Sequence, residues 1–204
     1  MNRRRLFLLM LCAAALLNAQ AFLPSWLTQP FPGNQAGPWW ENGGLFPTSS
    51  ILTSSGNLSL ISQTSAGVVP DEYEVRTKYQ LRSNGGSYVT YLRASPTSQL
   101  GGGGTFYAVE LTNVDLSGGS CVGTFALWRV VNGIHELRQV VTAGCQDGMT
   151  LRFIVRWNGI FVVKEGLIAG LMWWTDPDQI ASGRPGVGVR GTATDSGITS
   201  VSFH

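Results

Sequence analysis

The sequence of 204 residues contains few charged side chains and few histidines, and each shortage excludes a class of function. Charged residues make up only 13% of the chain, and no run of Lys or Arg occurs beyond Arg5, so a nucleic acid partner is not expected. There are only two histidines, and one of them is His204. A catalytic triad or a zinc site built on the one other histidine, His135, is not expected either, because no acidic cluster lies near it in the sequence.

Helical periodicity is also missing. Beyond Leu17, no apolar stripe at a spacing of 3.6 residues extends past two turns. Glycine (26 residues), Ser and Thr are abundant instead, a mixture typical of short strands joined by many turns. The one short helical turn that we predict lies near residues 176–181, because Thr175-Asp176-Pro177 is a pattern that starts helices.

Residues 1–21 have the pattern of a cleaved signal peptide. Three arginines precede an apolar run over residues 6–17, and Ala19-Gln20-Ala21 is a small-x-small cleavage pattern. The run is shorter than the roughly 20 residues of a membrane-spanning helix, so no membrane span is expected after cleavage. The prediction is a bacterial protein that is secreted, periplasmic or extracellular.

The rest of the chain, residues 22–204, is long enough for one well-filled core. Removal of the three leader arginines leaves 11 basic against 12 acidic side chains. Residues 22–45 are rich in Pro, Gly and Trp and are predicted to form an extended arm, whereas residues 46–204 are predicted to form one β domain. We expect Trp26, Trp39 and Trp40 to pack onto that domain.

A two-residue period dominates the predicted domain, and turn residues interrupt it every 8–12 residues or so. This pattern is typical of an antiparallel sandwich or barrel. In the clearest strand, Tyr73, Val75 and Thr77 share one face and Glu74 and Arg76 the other. The predicted strands cover residues 58–64, 72–82, 87–94, 105–114, 121–130, 135–143, 149–157, 160–164, 187–190 and 198–203.

Two hairpin turns are predicted from Asn-Gly dipeptides, which accept the positive φ angles of a type I′ turn. With Asn132-Gly133 as the turn, Cys121 faces Gly144, so a single bulge would bring Cys121 to Cys145. In an oxidising compartment this pair is expected to form a disulfide, with two separate buried thiols as the alternative. The second predicted turn is Asn158-Gly159, with Trp157 pointing inward.

Three segments carry a resemblance to a known fold family: residues 147–153, residues 157–160 and residues 175–188. They resemble the C-terminal part of concanavalin A-like jelly rolls, the laminin-G-like and lectin/glucanase sandwiches. The resemblance implies an all-β, antiparallel two-sheet jelly-roll sandwich of about ten or more strands. It also implies a non-catalytic module that binds a glycan or another extracellular protein. A purely structural interaction module is an alternative, because this architecture hosts many functions.

A sugar-active hydrolase is the other alternative. Asn84-Gly85-Gly86 with Arg93, and the later segment from Tyr107 to Glu110, are similar to motifs of the 3-keto-disaccharide hydrolase-like branch. That resemblance implies sugar contacts by Arg93 and Glu110 on neighbouring strands. An ordinary cross-strand ion pair between these two residues is the other interpretation.

The candidate glycan-binding residues centre on Trp173 and Trp174. Neighbours on an extended chain point to opposite sides, so at most one of the two indoles can enter the same core. Asp176 and Gln179 would supply hydrogen bonds to a sugar, and Tyr107 is a further candidate. The alternative is that one indole only covers the end of a sheet.

No cofactor and no metal site is predicted. Calcium remains an alternative through Asp176 and Asp178, because this cation prefers carboxylate and carbonyl oxygens. Two aspartates beside a proline also cap a helical turn, which is the competing interpretation.

Overall fold

The computed structural model describes residues 26–30, 39–42, 51–62, 72–166 and 170–203. These residues form 13 strands and one short 3₁₀ helix, Ser117–Gly119. The strands are β1 Trp26–Pro30, β2 Trp39–Asn42, β3 Asn57–Ser62, β4 Tyr73–Gln80, β5 Ser87–Ala94, β6 Phe106–Asp115, β7 Cys121–Val131, β8 Ile134–Cys145, β9 Thr150–Arg156, β10 Gly159–Lys164, β11 Met172–Thr175, β12 Arg184–Arg190 and β13 Gly197–Phe203. Within the described ranges, no helix has the length and apolar character to cross a membrane.

The strands form two antiparallel sheets. Sheet A has the order β1-β13-β4-β9-β10-β11, and sheet B has the order β2-β3-β12-β5-β6-β7-β8. The alternation expected in β4 is present, since Tyr73, Val75 and Thr77 are buried and Lys78 is exposed. The inward-facing buried residues of both sheets join in one apolar cluster between them. The prediction of an all-β, two-sheet antiparallel sandwich is confirmed.

A second, smaller apolar cluster lies on the outer face of sheet B. Phe106 and Ala108 belong to it, and they alternate along β6 with Tyr107, which belongs to the apolar cluster between the sheets. Leu100, from the glycine-rich loop between β5 and β6, is buried against it, and its backbone N–H donates to the Tyr91 hydroxyl at 3.0 Å. The loop therefore covers part of this outer face.

The β7–β8 hairpin agrees with the sequence-based prediction. Asn132 and Gly133 have φ angles of 51° and 80°, as a type I′ turn requires. The register shifts between Leu127 and Trp128, and this bulge places Cys121 opposite Cys145. The two cysteines form a disulfide with 4.8 Å between their Cα atoms.

The second predicted hairpin turn is wrong by one residue. Arg156 pairs with Gly159, so Trp157 and Asn158 form the two-residue turn between β9 and β10. Trp157 is consequently 67% exposed rather than inward. Glycine is needed at position 159 because of limited space and not because of a positive φ angle. A Cβ atom there would lie 2.9 Å from the Trp174 carbonyl oxygen on the neighbouring strand.

Three further predictions concern the helical turn after β11, the N-terminal arm and the signal peptide. The predicted helical turn at residues 176–181 is wrong, because the segment is irregular and the Asp176 side chain instead accepts the backbone N–H of Asp178 at 2.9 Å. Within the predicted arm, β1 pairs with β13 and β2 with β3, and the division at residue 45 stays a prediction. The predicted signal peptide and the side chains of Trp26, Trp39 and Trp40 lie outside the described residues.

The disulfide gives a first testable prediction. It closes a loop with a sequence separation of 24 residues, which the chain-entropy account values at about 3 kcal/mol. Replacing both cysteines by serine should lower the free energy of unfolding by about this amount, measured by urea denaturation. If the double variant unfolded at the same urea concentration as the wild-type protein, the strand pairing of the hairpin alone, and not the disulfide, would hold these two strands together.

Candidate functional site

The tandem tryptophans lie on β11, one of the two edge strands of sheet A, and their side chains point to opposite sides as predicted. Trp173 is on the outer face and is 65% exposed. Trp174 turns inward, where its ring meets Tyr107 edge-on at 5.8 Å between centroids. The Arg138 guanidinium lies 5.3 Å from the centre of the Trp174 ring. Of these two tryptophans, Trp173 is therefore the one with an open indole.

Two more aromatic side chains lie beside Trp173 on the same face of sheet A. Phe161 pairs with Trp173 across β10 and β11 and is 38% exposed, while Trp157 projects from the adjacent turn. These three rings border a groove of about 850 Å³, which we call the aromatic groove. Its other lining residues are Ile154, Arg156, Asn158, Val163, Gly170 and Met172.

Polar groups occupy one rim of the aromatic groove. The backbone N–H of Trp157 donates to the Glu72 carboxylate at 3.3 Å, and the Arg156 guanidinium lies 3.9 Å from the same carboxylate. Asn158, in the turn, adds an amide that can both donate and accept. An apolar floor with a polar rim is the usual composition of a small-molecule site.

A three-residue ion network continues along this face of sheet A. Glu74 accepts hydrogen bonds from Arg152 at 2.6 and 2.9 Å and from Arg76 at 2.6 Å. Partial burial tends to raise the pKa of Glu74, but the hydrogen bonds from both guanidinium groups outweigh it and hold this pKa below its ordinary value. The carboxylate thus stays charged and paired.

A separate polar cluster lies between the sheets, and it contains most of the predicted site residues. Asp176 is 6% exposed, and one of its carboxylate oxygens accepts the Tyr107 hydroxyl at 2.5 Å and the Arg129 Nε–H at 2.9 Å. The Tyr107 oxygen in turn accepts the Ile180 backbone N–H at 2.9 Å. Burial, followed by the hydrogen bond to Asp176, raises the pKa of Tyr107 well above its ordinary value.

Arg93 completes this inner cluster. Its Nη1–H groups donate to the Gln179 side chain at 3.2 Å and to the Ile180 carbonyl at 2.8 Å. Arg93 has a φ of 50°, a left-handed conformation that breaks the alternation of β5. The cavity beside Arg93, Gln179 and Trp174 measures about 10 Å³, no more than a single water needs, so a sugar does not fit there.

Glu110 belongs to the opposite face of sheet B. Its carboxylate accepts the Ser87 hydroxyl at 2.5 Å, the Trp128 indole N–H at 3.2 Å and an Arg190 N–H at 3.2 Å. Arg93 donates instead to groups of the inner cluster. The structure thus does not bring Arg93 and Glu110 together, either as a shared sugar contact or as a cross-strand ion pair.

The two aspartates considered for calcium are used differently. Both carboxylate oxygens of Asp176 accept hydrogen bonds within the chain, and the Asp178 carbonyl accepts an Arg129 N–H at 2.7 Å. In the described part of the chain, no group of three or more His, Cys, Asp or Glu side chains is placed to hold a metal ion.

Sequence reasoning identified Trp173 but not the rest of the aromatic groove. Phe161 lies in an unbroken apolar run from Ile160 to Val163, where a two-residue period cannot show which side chains face outward. The predicted inward position of Trp157 is wrong because β9 ends at Arg156, one residue before Trp157. The exposure of either ring follows only from the strand register.

Comparison with solved structures shows a concanavalin A-like jelly-roll fold. The carbohydrate binding module CBM66 from Bacillus subtilis has a TM-score of 0.55 and 12% identity, over 86% of this chain and 96% of that module. The VIP36 exoplasmic/lumenal domain bound to Ca²⁺ and Man3GlcNAc has a TM-score of 0.58 and 13% identity, over 86% of both chains. A native glycosidic hydrolase has a TM-score of 0.50 and 15% identity, over 89% of this chain and 96% of that one.

At these identities the similarity establishes the fold alone. Comparison of the sequence with protein-family models and with curated proteins finds no match.

The inner cluster gives a second prediction. Tyr107→Phe removes one hydrogen bond to Asp176 and leaves the buried Ile180 N–H without its acceptor, so the free energy of unfolding should fall by about 1–3 kcal/mol. A double-mutant cycle with Asp176→Asn extends this test. The stability losses of the two single variants should sum to more than the stability loss of the double variant. Strictly additive losses in urea denaturation would contradict a shared network.

The Glu74 network gives a third prediction. Because the folded-state pKa of Glu74 is lowered, its contribution to stability is present above the unfolded value of about 4.3 and is lost as pH falls through the folded pKa. Glu74→Gln should therefore reduce the slope of unfolding free energy against pH below about pH 4.3. Identical slopes in the wild-type protein and the variant would show that Glu74 does not contribute to the loss of stability in acid.

Proposed function

We propose that this protein is a carbohydrate-binding β-sandwich module and that the aromatic groove is its binding surface. The observation that carries the proposal is the exposure of Trp157, Phe161 and Trp173 around one groove on one sheet face. Large exposed apolar side chains that cluster in a concave surface are a mark of binding sites. Aromatic rings suit sugars because they stack on the C–H faces of the sugar ring.

The structural comparisons support the same proposal. Two of the similar structures carry names that refer to carbohydrate, a carbohydrate binding module and a domain bound to Man3GlcNAc. The inner cluster around Asp176 is too tightly packed to serve as the sugar site, which favours the outer groove.

We also propose that the protein is exported and acts without catalysis. The leader pattern of residues 1–21 and the disulfide between Cys121 and Cys145 both support an oxidising, extracytoplasmic location. The separation of Arg93 from Glu110 argues against the hydrolase alternative, which needs both on one sugar.

A glycan array and polysaccharide pull-downs test the proposal. Trp173→Ala should weaken binding at least tenfold, because stacking on an exposed indole supplies much of the contact area. Leu137→Ala is the matched control: Leu137 is also an exposed apolar side chain, but it lies on edge strand β8 of sheet B. Binding that survives in Trp173→Ala and fails in Leu137→Ala would place the site on the other sheet.

A further inference from the structure

We infer that the aromatic groove takes neutral saccharide chains of several residues whose ring hydroxyls are equatorial. This inference rests on the proposed function and adds the ligand class. Three features of the described residues support this ligand class: the size of the groove, the shape of its floor and the charges around it.

The size indicates more than one sugar ring. The groove measures about 850 Å³, near the upper end of the roughly 300–1,000 Å³ that small-molecule sites span. A monosaccharide would leave most of that volume and most of the aromatic surface in contact with water. A chain of several residues can cover Trp157 and Trp173 together.

The floor is a continuous apolar row across three strands. Ile154 pairs with Phe161, and Phe161 pairs with Trp173, so the three side chains lie side by side on the outer face. Neighbouring strands are about 4.8 Å apart, which makes the row about 10 Å wide. Gly159 lies between Trp157 and Phe161 and has no side chain to interrupt the surface.

An apolar floor selects the stereochemistry of the sugar. A pyranose with equatorial hydroxyls presents two flat faces of C–H groups and directs its hydroxyls outward. Those hydroxyls can then reach polar groups at the rim, such as the Asn158 amide and the Glu72 carboxylate. An axial hydroxyl would be pressed against the apolar floor without a hydrogen-bond partner, which is costly.

The charges around the groove favour a neutral ligand. Lys78 is exposed on this face, but it pairs in register with Thr150, four residues along β9 from Ile154 of the groove floor. Nearer the groove lie three arginines, and each has a carboxylate within 4 Å: Arg156 with Glu72, Arg152 with Glu74, and Arg76 with Glu74 and Glu165. An acidic polysaccharide would find no unpaired cation in this set and would face the Glu72 carboxylate at the rim.

Affinity electrophoresis of the purified protein tests this ligand class. The gels contain hydroxyethyl cellulose (neutral, equatorial hydroxyls), a mannan (neutral, axial hydroxyl) or polygalacturonate (acidic). Hydroxyethyl cellulose should retard the protein most, and Trp173→Ala should abolish this retardation, whereas Leu137→Ala should not. Phe161→Ala is the second variant and should weaken retardation at least fivefold. Urea denaturation establishes that each variant is folded.

Calorimetric titration with glucose, cellotriose and cellopentaose tests the length requirement, and the Kd should fall at least tenfold from glucose to cellotriose. Equal affinities for glucose and cellotriose would overturn the inference on length. Retardation by polygalacturonate or mannan that depends on Trp173 would overturn the ligand class and leave the proposed function standing. A Trp173-dependent dimer in sedimentation experiments, with no retardation by any polysaccharide, would overturn both.

Discussion

The burial of two pleated faces against each other is the constraint on which the rest of this structure depends. Strand β4 shows how strict it is, because Val75 lies opposite Phe153 and Thr77 opposite Leu151 on β9. A slip of one residue would turn Glu74 and Arg76 into the core and every apolar partner out of it. Once this register is set, the outer positions are decided as well, and Phe161 and Trp173 have no place between the sheets.

Irregularities in the strands then place the polar groups. The bulge between Leu127 and Trp128 brings Cys121 opposite Cys145 on β8. The left-handed φ of Arg93 takes its guanidinium out of the alternation and into the inner cluster, where Gln179 and the Ile180 carbonyl accept its hydrogen bonds. The segment after β11 is held there by side-chain hydrogen bonds, although it forms no helix.

The outer faces of the two sheets differ in what covers them. On sheet B, the loop that carries Leu100 packs onto part of the face, and Glu110 is enclosed by Ser87, Trp128 and Arg190. On sheet A, the region around β9, β10 and β11 leaves three aromatic rings exposed beside an open groove. The location of the proposed binding surface follows from this difference. The paired charges along sheet A then favour a ligand without charge.

The amino-acid sequence by itself determined the fold class, nearly all strands of the main body, the β7–β8 turn and the disulfide. These features depend on residues that are close together in the sequence: a two-residue period, an Asn-Gly turn and a spacing counted along one hairpin. Pairing between distant strands decided the rest. Only the tertiary structure separated Arg93 from Glu110, buried Asp176 beside Arg129 and joined Phe161 and Trp157 to Trp173. An unbroken apolar run carries no information about which side chain faces water, because that depends on the partner strands and on where the turn falls.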